Sequence, residues 1–221
     1  MIDLHRFLRN GLRGGLTAAL VAMIATPVAA QRLSGEDLID ALQQGGHVIV
    51  MRHAPASLDA ARSGGGGGGG GFGGGGRGGF GGGGGAPPEP TEEALEPSSI
   101  EILTGARHTF WHFRLPVGAV YTAPARKTRQ QADQLPFAEI TEVDELDADA
   151  AGSGWLAGAL AQMPDTGTNT LIVTHAENIS ADLGLSAAPG ETLIVRPGND
   201  PTVIGRVGLR EWSVLAMELA N

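Results

Sequence analysis

Two continuous apolar runs dominate the chain, His47-Val48-Ile49-Val50-Met51 and Thr170-Leu171-Ile172-Val173-Thr174. Short β-branched runs bounded by glycine or turn residues are the pattern of strands buried on both faces of a parallel sheet. Weaker strand patterns cover residues 117–121, 140–143, 192–195 and 203–207, with Pro197-Gly198-Asn199-Asp200-Pro201 as the turn between the last two. Helical spacing fills the intervals. A first helix ends near Leu42 and opens at Ser34, which can cap it, with Glu36 and Asp37 suited to the positive end of its dipole. Residues 101–114 read as one helix, 126–135 as a polar helix, and 155–163 as another. Strands alternating with helices predict an α/β domain, a three-layer α/β/α sandwich with a mostly parallel central sheet. Trp155 and Trp212 read as core anchors.

The pattern breaks in two places. Residues 63–85 consist of one Ser, two Phe, one Arg and nineteen of the chain's 36 glycines, and Ala86-Pro87-Pro88-Glu89-Pro90 follow. Such a stretch buries too little apolar surface to offset its ordering entropy, so residues 63–90 are expected to be a disordered insert at a surface turn. A flap or interaction tail using Phe72, Arg77 and Phe80 is the sharper alternative. Residues 1–30 read as an export signal: Arg6, Arg9 and Arg13, an apolar run from Leu16 to Ala30, and small residues Val28-Ala29-Ala30 before Gln31. The run is short of the ~20 residues a bilayer-spanning helix needs. The expectation is a signal peptide at 1–30, cleavage, and a mature domain 31–221 in the periplasm or secreted, with no stable membrane span.

Composition narrows the function. With no cysteine, neither a disulfide framework nor a thiolate metal site is available. The net charge of −9 becomes −11 once residues 1–30, with three Arg and one Asp, are set aside. That argues against a nucleic-acid-binding face, which needs a basic footprint. A local pocket of Arg and His can still hold a phosphate in an acidic protein.

Chemistry gathers at two strand ends. Ligands of open α/β sheets bind beyond the carboxyl ends of the parallel strands. This sequence sets His53 after the first apolar run, preceded by Arg52, and His175 after the second. A neutral imidazole can attack phosphorus while an arginine and a second histidine neutralise its oxygens. The alternative is that both histidines merely close strand ends through backbone hydrogen bonds.

Val50-Met51-Arg52-His53-Ala54 resembles the Arg-His-Gly motif of the histidine phosphatase, or phosphoglycerate-mutase-like, superfamily, with alanine in third place. Val120-Tyr121-Thr122-Ala123-Pro124 leading into Lys127-Thr128-Arg129-Gln130-Gln131-Ala132 is similar to that family's Ser-Pro-x-x-Arg segment and following helix. Leu171 to Ile179 resembles the strand that carries the second histidine, and Pro189 to Pro197 with Glu211-Trp212 resembles the end of small exported members. The resemblance spans most of residues 38–212 outside the insert, with the motifs in family order. It implies a phosphoglycerate-mutase-like fold and a metal-independent phosphohydrolase that needs no cofactor. Its partner would be a small phosphorylated substrate or phosphate. His53 would be the nucleophile, Arg52 and His175 would hold the phosphoryl oxygens, and Asn178 would help to orient the loop at the substrate.

Three departures from the family pattern shape the expectations. The second arginine of the family aligns with Lys127, which lacks the planar fork that grips phosphate in a bidentate way, and a one-residue shift would substitute Arg126. The stretch between the insert and Val117 is short, which predicts a thinned helical cover. The general acid has no clear match in Asp144-Glu145-Leu146-Asp147-Ala148-Asp149, a run that reads mainly as a solvated charged loop. Glu191 is the rival, because a strand running antiparallel from it would start on the active-site edge. A catalytically weak relative that binds phosphorylated ligands or a protein partner is therefore the second function class. His108 and His112 have the spacing of a metal pair, but with Phe110, Trp111 and Phe113 interleaved they read as packing or surface residues. His47 reads as a satisfied strand histidine, and the glycine tract lacks the Lys-Ser/Thr ending of a P-loop.

Overall fold

The computed structural model describes residues 33–57, 92–135 and 137–219. The expected signal peptide and the glycine-rich insert lie outside the described residues. Within them the order is α1 (Gly35–Gln44), β1 (Val48–Arg52), β2 (Ala56–Ser57), β3 (Ala94–Leu95), α2 (Pro97–His112), β4 (Val117–Thr122), α3 (Arg126–Gln134), β5 (Ile140–Glu142), α4 (Trp155–Ala161), β6 (Asn169–Thr174), α5 (Ala176–Leu183), β7 (Thr192–Arg196), β8 (Thr202–Val207) and α6 (Glu211–Leu219). Two 3₁₀ turns, Asp144–Leu146 and Ala148–Ala150, join β5 to α4.

Six strands form one sheet in the order β5-β4-β6-β1-β7-β8. The pairs β5–β4, β4–β6 and β6–β1 are parallel, while β7 runs antiparallel to both β1 and β8. The two strongest apolar runs are thus adjacent central strands, with Val48 opposite Thr170 and Arg52 opposite Thr174.

Successive side chains of a strand point to opposite faces, and β1 sorts itself accordingly. Ile49 and Met51 join Leu171, Val173 and Ile194 against α1, α2, α3 and α6, while Val48 and Val50 join Ile172, Leu193 and Val195 against α4, α5 and Leu146. The result is the expected three-layer sandwich. The stretch before β4 forms one 16-residue helix, as the pattern over 101–114 predicts, and it packs against α6.

Trp212 is fully buried, donates through Nε1 to Thr192 Oγ1 at 3.1 Å and lies 4.9 Å from the ring of Phe110. Trp155 is only partly buried, edge-on to Tyr121, and so anchors a margin rather than the centre. At the amino end of β6 the buried Asn169 donates to the carbonyls of Leu42 and Pro116 and accepts from His47 N, tying β6 to the segments entering β1 and β4. His47 itself sits one residue before β1, half-buried. Ser34 takes the extended N-cap conformation of α1, but its hydroxyl makes no cap bond.

Candidate active site

Parallel neighbours in register end side by side. His53 follows β1 and His175 follows β6, and the His53 amide donates to the Thr174 carbonyl at 3.0 Å. The two imidazoles lie with centroids 5.2 Å apart at 68°. They open into a cleft of about 420 Å³ lined also by Arg52, Pro55, Ala56, Glu93, Lys127, Ala148, Glu177 and Pro189.

Backbone and side-chain contacts fix each member. His53 is held from both flanks, because its carbonyl accepts from Gly190 N at 3.0 Å while Ala54 N donates to the buried Gln131 Oε1 at 2.7 Å. Its Nδ1 lies 2.9 Å from the Ala54 carbonyl. A carbonyl can only accept, so Nδ1 carries the hydrogen and the Nε2 lone pair is left free. Burial, and after it the charges of Lys127, His175 and Arg52, push the pKa of His53 down to about 4 despite the opposing bond to Ala54. The ring is therefore neutral at pH 7, the form a nucleophile needs.

Arg52 donates through Nη1 to the Ala187 carbonyl at 2.7 Å, and its buried Nε has no protein partner. His175 is nearly inaccessible, and its Nε2 is likewise buried and unpartnered. Burial, and then Lys127, lower the His175 pKa, with Asp147 and Glu177 pulling the other way. Leaving such nitrogens buried without a partner is costly; Arg52 Nε can only donate, while His175 Nε2 donates or accepts according to its tautomer.

Of Lys127 and Arg126, it is Lys127 that lines the cleft. Thr128 bonds the carbonyls of Ala123 and Ala125 and so sets the first turn of α3, where Lys127 lines the cleft. Arg126 faces a separate surface groove with Arg129, Gln130 and Glu142. Lys127 donates to Glu93 Oε2 at 2.8 Å.

Two of the expected site residues, Glu191 and Asn178, do not line the cleft. Strand β7 does run antiparallel and begin at the active-site edge, for Met51 pairs with Thr192 and Arg52 N donates to the Glu191 carbonyl. The Glu191 carboxylate, however, turns away from the cleft, accepting from Ala188 N at 2.7 Å and pairing with Arg206 at 3.0 Å. Asn178 does not reach the cleft as a substrate ligand. Its buried amide donates to Leu146 O at 2.8 Å and Asp147 O at 2.9 Å, and Thr174 also donates to Leu146 O. Asn178 thus positions the 3₁₀ segment whose Ala148 walls the cleft. His108 and His112 stack on the exposed face of α2, 6.1 Å apart, and no group of three His, Asp or Glu among the described residues could hold a metal ion.

Glu93, Gln131 and Glu177 were not singled out as site residues by sequence reasoning. Gln131 lay within a recognised motif segment, and its helical position four residues after Lys127 could have placed it beside the loop after β1. Glu93 follows a low-complexity segment, and no periodic pattern marks it.

A solved structure of the protein histidine phosphatase SixA complexed with tungstate superposes with TM-score 0.53 over 74% of this chain and 97% of its own, at 12% identity. The chain has the histidine phosphatase fold. The chain also matches a structure assigned as the phosphohistidine phosphatase SixA of Agrobacterium tumefaciens (TM-score 0.49, 14% identity, 74% of this chain and 98% of that one). A phosphoserine phosphatase from Entamoeba histolytica in complex with 3-phosphoglyceric acid also matches (TM-score 0.42, 10% identity, 72% and 95%). No protein-family model and no curated protein matches the chain.

Proposed function

We propose that this protein is an exported phosphohydrolase that removes the phosphoryl group of a phosphomonoester through a phosphohistidine at His53, without a metal ion. The observation that carries the reading is the hydrogen bond from His53 Nδ1 to Ala54 O, which leaves Nε2 as a lone pair beside Arg52 and His175. In the first step Nε2 attacks phosphorus and the leaving oxygen departs with its electron pair and a proton. In the second, water attacks the phosphohistidine and returns the pair to Nε2. Arg52, His175 and Lys127 would take the phosphoryl oxygens, so charge neutralisation falls to side chains rather than to a metal. The substrate is small and phosphorylated, the net negative charge of the chain disfavouring nucleic acid. Export rests on the signal-like residues 1–30 alone, and N-terminal sequencing of the protein recovered from the periplasm tests it, with Gln31 as the expected first residue.

A second reading has its own support. Lys127 replaces a bidentate arginine and is already paired with Glu93, which suits a protein that binds phosphorylated ligands with little turnover. Release of para-nitrophenol from para-nitrophenyl phosphate, with and without EDTA and beside His53→Ala, separates the two. EDTA-insensitive turnover lost in the variant supports the enzyme. A folded protein that binds phosphate but turns nothing over supports the binder.

A further inference from the structure

Glu93 is the carboxylate of the cleft that touches one of its cations. It directly precedes β3, which pairs with β2 through Ala56–Leu95 and Ser57–Ala94. Leu95 N donates to Gln130 Oε1 at 2.9 Å, and Glu92 Oε2 accepts from Arg126 N at 3.2 Å. These bonds fix the Glu93 backbone against the first turns of α3 and aim its side chain at Lys127 Nζ, 2.8 Å away. The other candidate acid, Glu191, is tied to Arg206 and Ala188, and the acidic run 144–149 contributes only Ala148 to the cleft wall.

The charged and titratable groups that line the cleft with this carboxylate are Lys127 from α3, Arg52 at the end of β1, His53 just after it, His175 just after β6, and Glu177 from α5. The hydrogen bond from Lys127, with a lesser effect of its charge, keeps Glu93 below the usual carboxylate range despite partial burial, and the imidazoles of His53 and His175 add to this only when protonated. Before a ligand arrives Glu93 is therefore an anion, unable to donate a proton. A phosphoryl dianion reverses this. It needs the same ammonium, and once Lys127 turns to it, Glu93 loses its cation and faces two new negative charges, both of which raise a carboxyl's proton affinity.

We propose that Glu93 exchanges Lys127 for a proton when an oxyanion enters the cleft, and that it passes this proton to the leaving oxygen. This rests on the phosphatase reading. As His53 Nε2 bonds to phosphorus, the P–O bond to the leaving group breaks and its electron pair takes the Glu93 proton. The Glu93 carboxylate then accepts a proton from water as the water oxygen bonds to phosphorus and the P–N bond breaks, its pair returning to Nε2. Glu93 is regenerated protonated and loses its proton when phosphate leaves and Lys127 returns.

Calorimetric titration with tungstate, a tetrahedral dianion near neutral pH, in two buffers of different ionisation enthalpy reads the exchange. Uptake approaching one proton per tungstate is expected in the unsubstituted protein and little in Glu93→Gln. Binding without proton uptake, or uptake unchanged in the variant, overturns the proposal. In turnover, Glu93→Gln should lose at least tenfold more activity on an alkyl phosphate, whose leaving oxygen needs the proton, than on para-nitrophenyl phosphate. Equal losses on both overturn the acid role. The variant should fold, since the Glu93 side chain is 44% exposed, and its melting curve checks this. Absence of turnover in the unsubstituted protein counts against the phosphatase reading and takes the acid role with it, while the calorimetry still decides the proton exchange.

Discussion

Acidification probes the state of His53 directly. Its pKa falls from an ordinary 6.5 to about 4, mainly through burial and then through Lys127, His175 and Arg52. The unfolded chain takes up this proton near pH 6.5, whereas the folded protein resists until near pH 4. Between those values the unfolded state binds more protons, so stability rises with pH there. The His53 contribution is complete above pH 6.5 and is lost as the pH falls toward 4. At about 1.4 kcal/mol per pKa unit, the shift corresponds to roughly 3 kcal/mol, reduced somewhat by the partial exposure of the ring. Urea unfolding followed by tryptophan fluorescence near pH 7.5 and near pH 4.5, in the unsubstituted protein and in His53→Asn, isolates the effect. His175 and His47, both also lowered chiefly by burial, titrate in both proteins and largely cancel. The unsubstituted protein should lose roughly 2–3 kcal/mol more than the variant on acidification. The same loss in both would mean that His53 is not buried as a neutral ring. In turnover, an acid limb governed by His53 should lie near pH 4 rather than 6.5.

Glu191→Gln should leave turnover within about threefold while costing about 1 kcal/mol in a thermal melt, because its carboxylate serves Arg206 and Ala188. A collapse of activity would return the acid role to Glu191. Asn178→Ala should cost ~2 kcal/mol by removing the side-chain donor to the Asp147 carbonyl and leaving Leu146 O with Thr174 alone, and should weaken phosphate binding through movement of the Ala148 wall. Unchanged phosphate affinity in isothermal titration would separate that loop from the cleft. Gly190→Ala should destabilise by more than about 1 kcal/mol, since its φ is +77° and an added Cβ would lie 2.8 Å from Leu209 Cβ. A melting temperature equal to that of the unsubstituted protein would refute it.

Strands dense in apolar residues were readable in the chain because burial on both faces leaves an uninterrupted run. The runs before His53 and His175 became adjacent strands, and their shared register brings the two rings together. Helix α5, eight residues long and directly after His175, shows no clear period, and its two buried residues, Asn178 and Ile179, leave little of one. The short β2–β3 ladder bridges residues far apart in sequence, so no local pattern announces it. Backbone placement and side-chain direction also separate at Glu191. The antiparallel run of β7 put its backbone at the active-site edge, but Arg206, fifteen residues later, decides where the carboxylate points. Glu93 and Lys127 are 34 residues apart, with no regular spacing to link them. Their pairing depends on the fold bringing the strand after the insert onto α3.

The most direct test of the His53 assignment is to mix the protein with para-nitrophenyl phosphate, quench in alkali, and map the phosphoryl group by peptide mass spectrometry. The account predicts one phosphoryl group on the peptide carrying His53, stable in base, labile in acid and absent from His53→Ala. A phosphoryl group on His175 instead, or steady turnover with no modified His53 at any quench time, would contradict it.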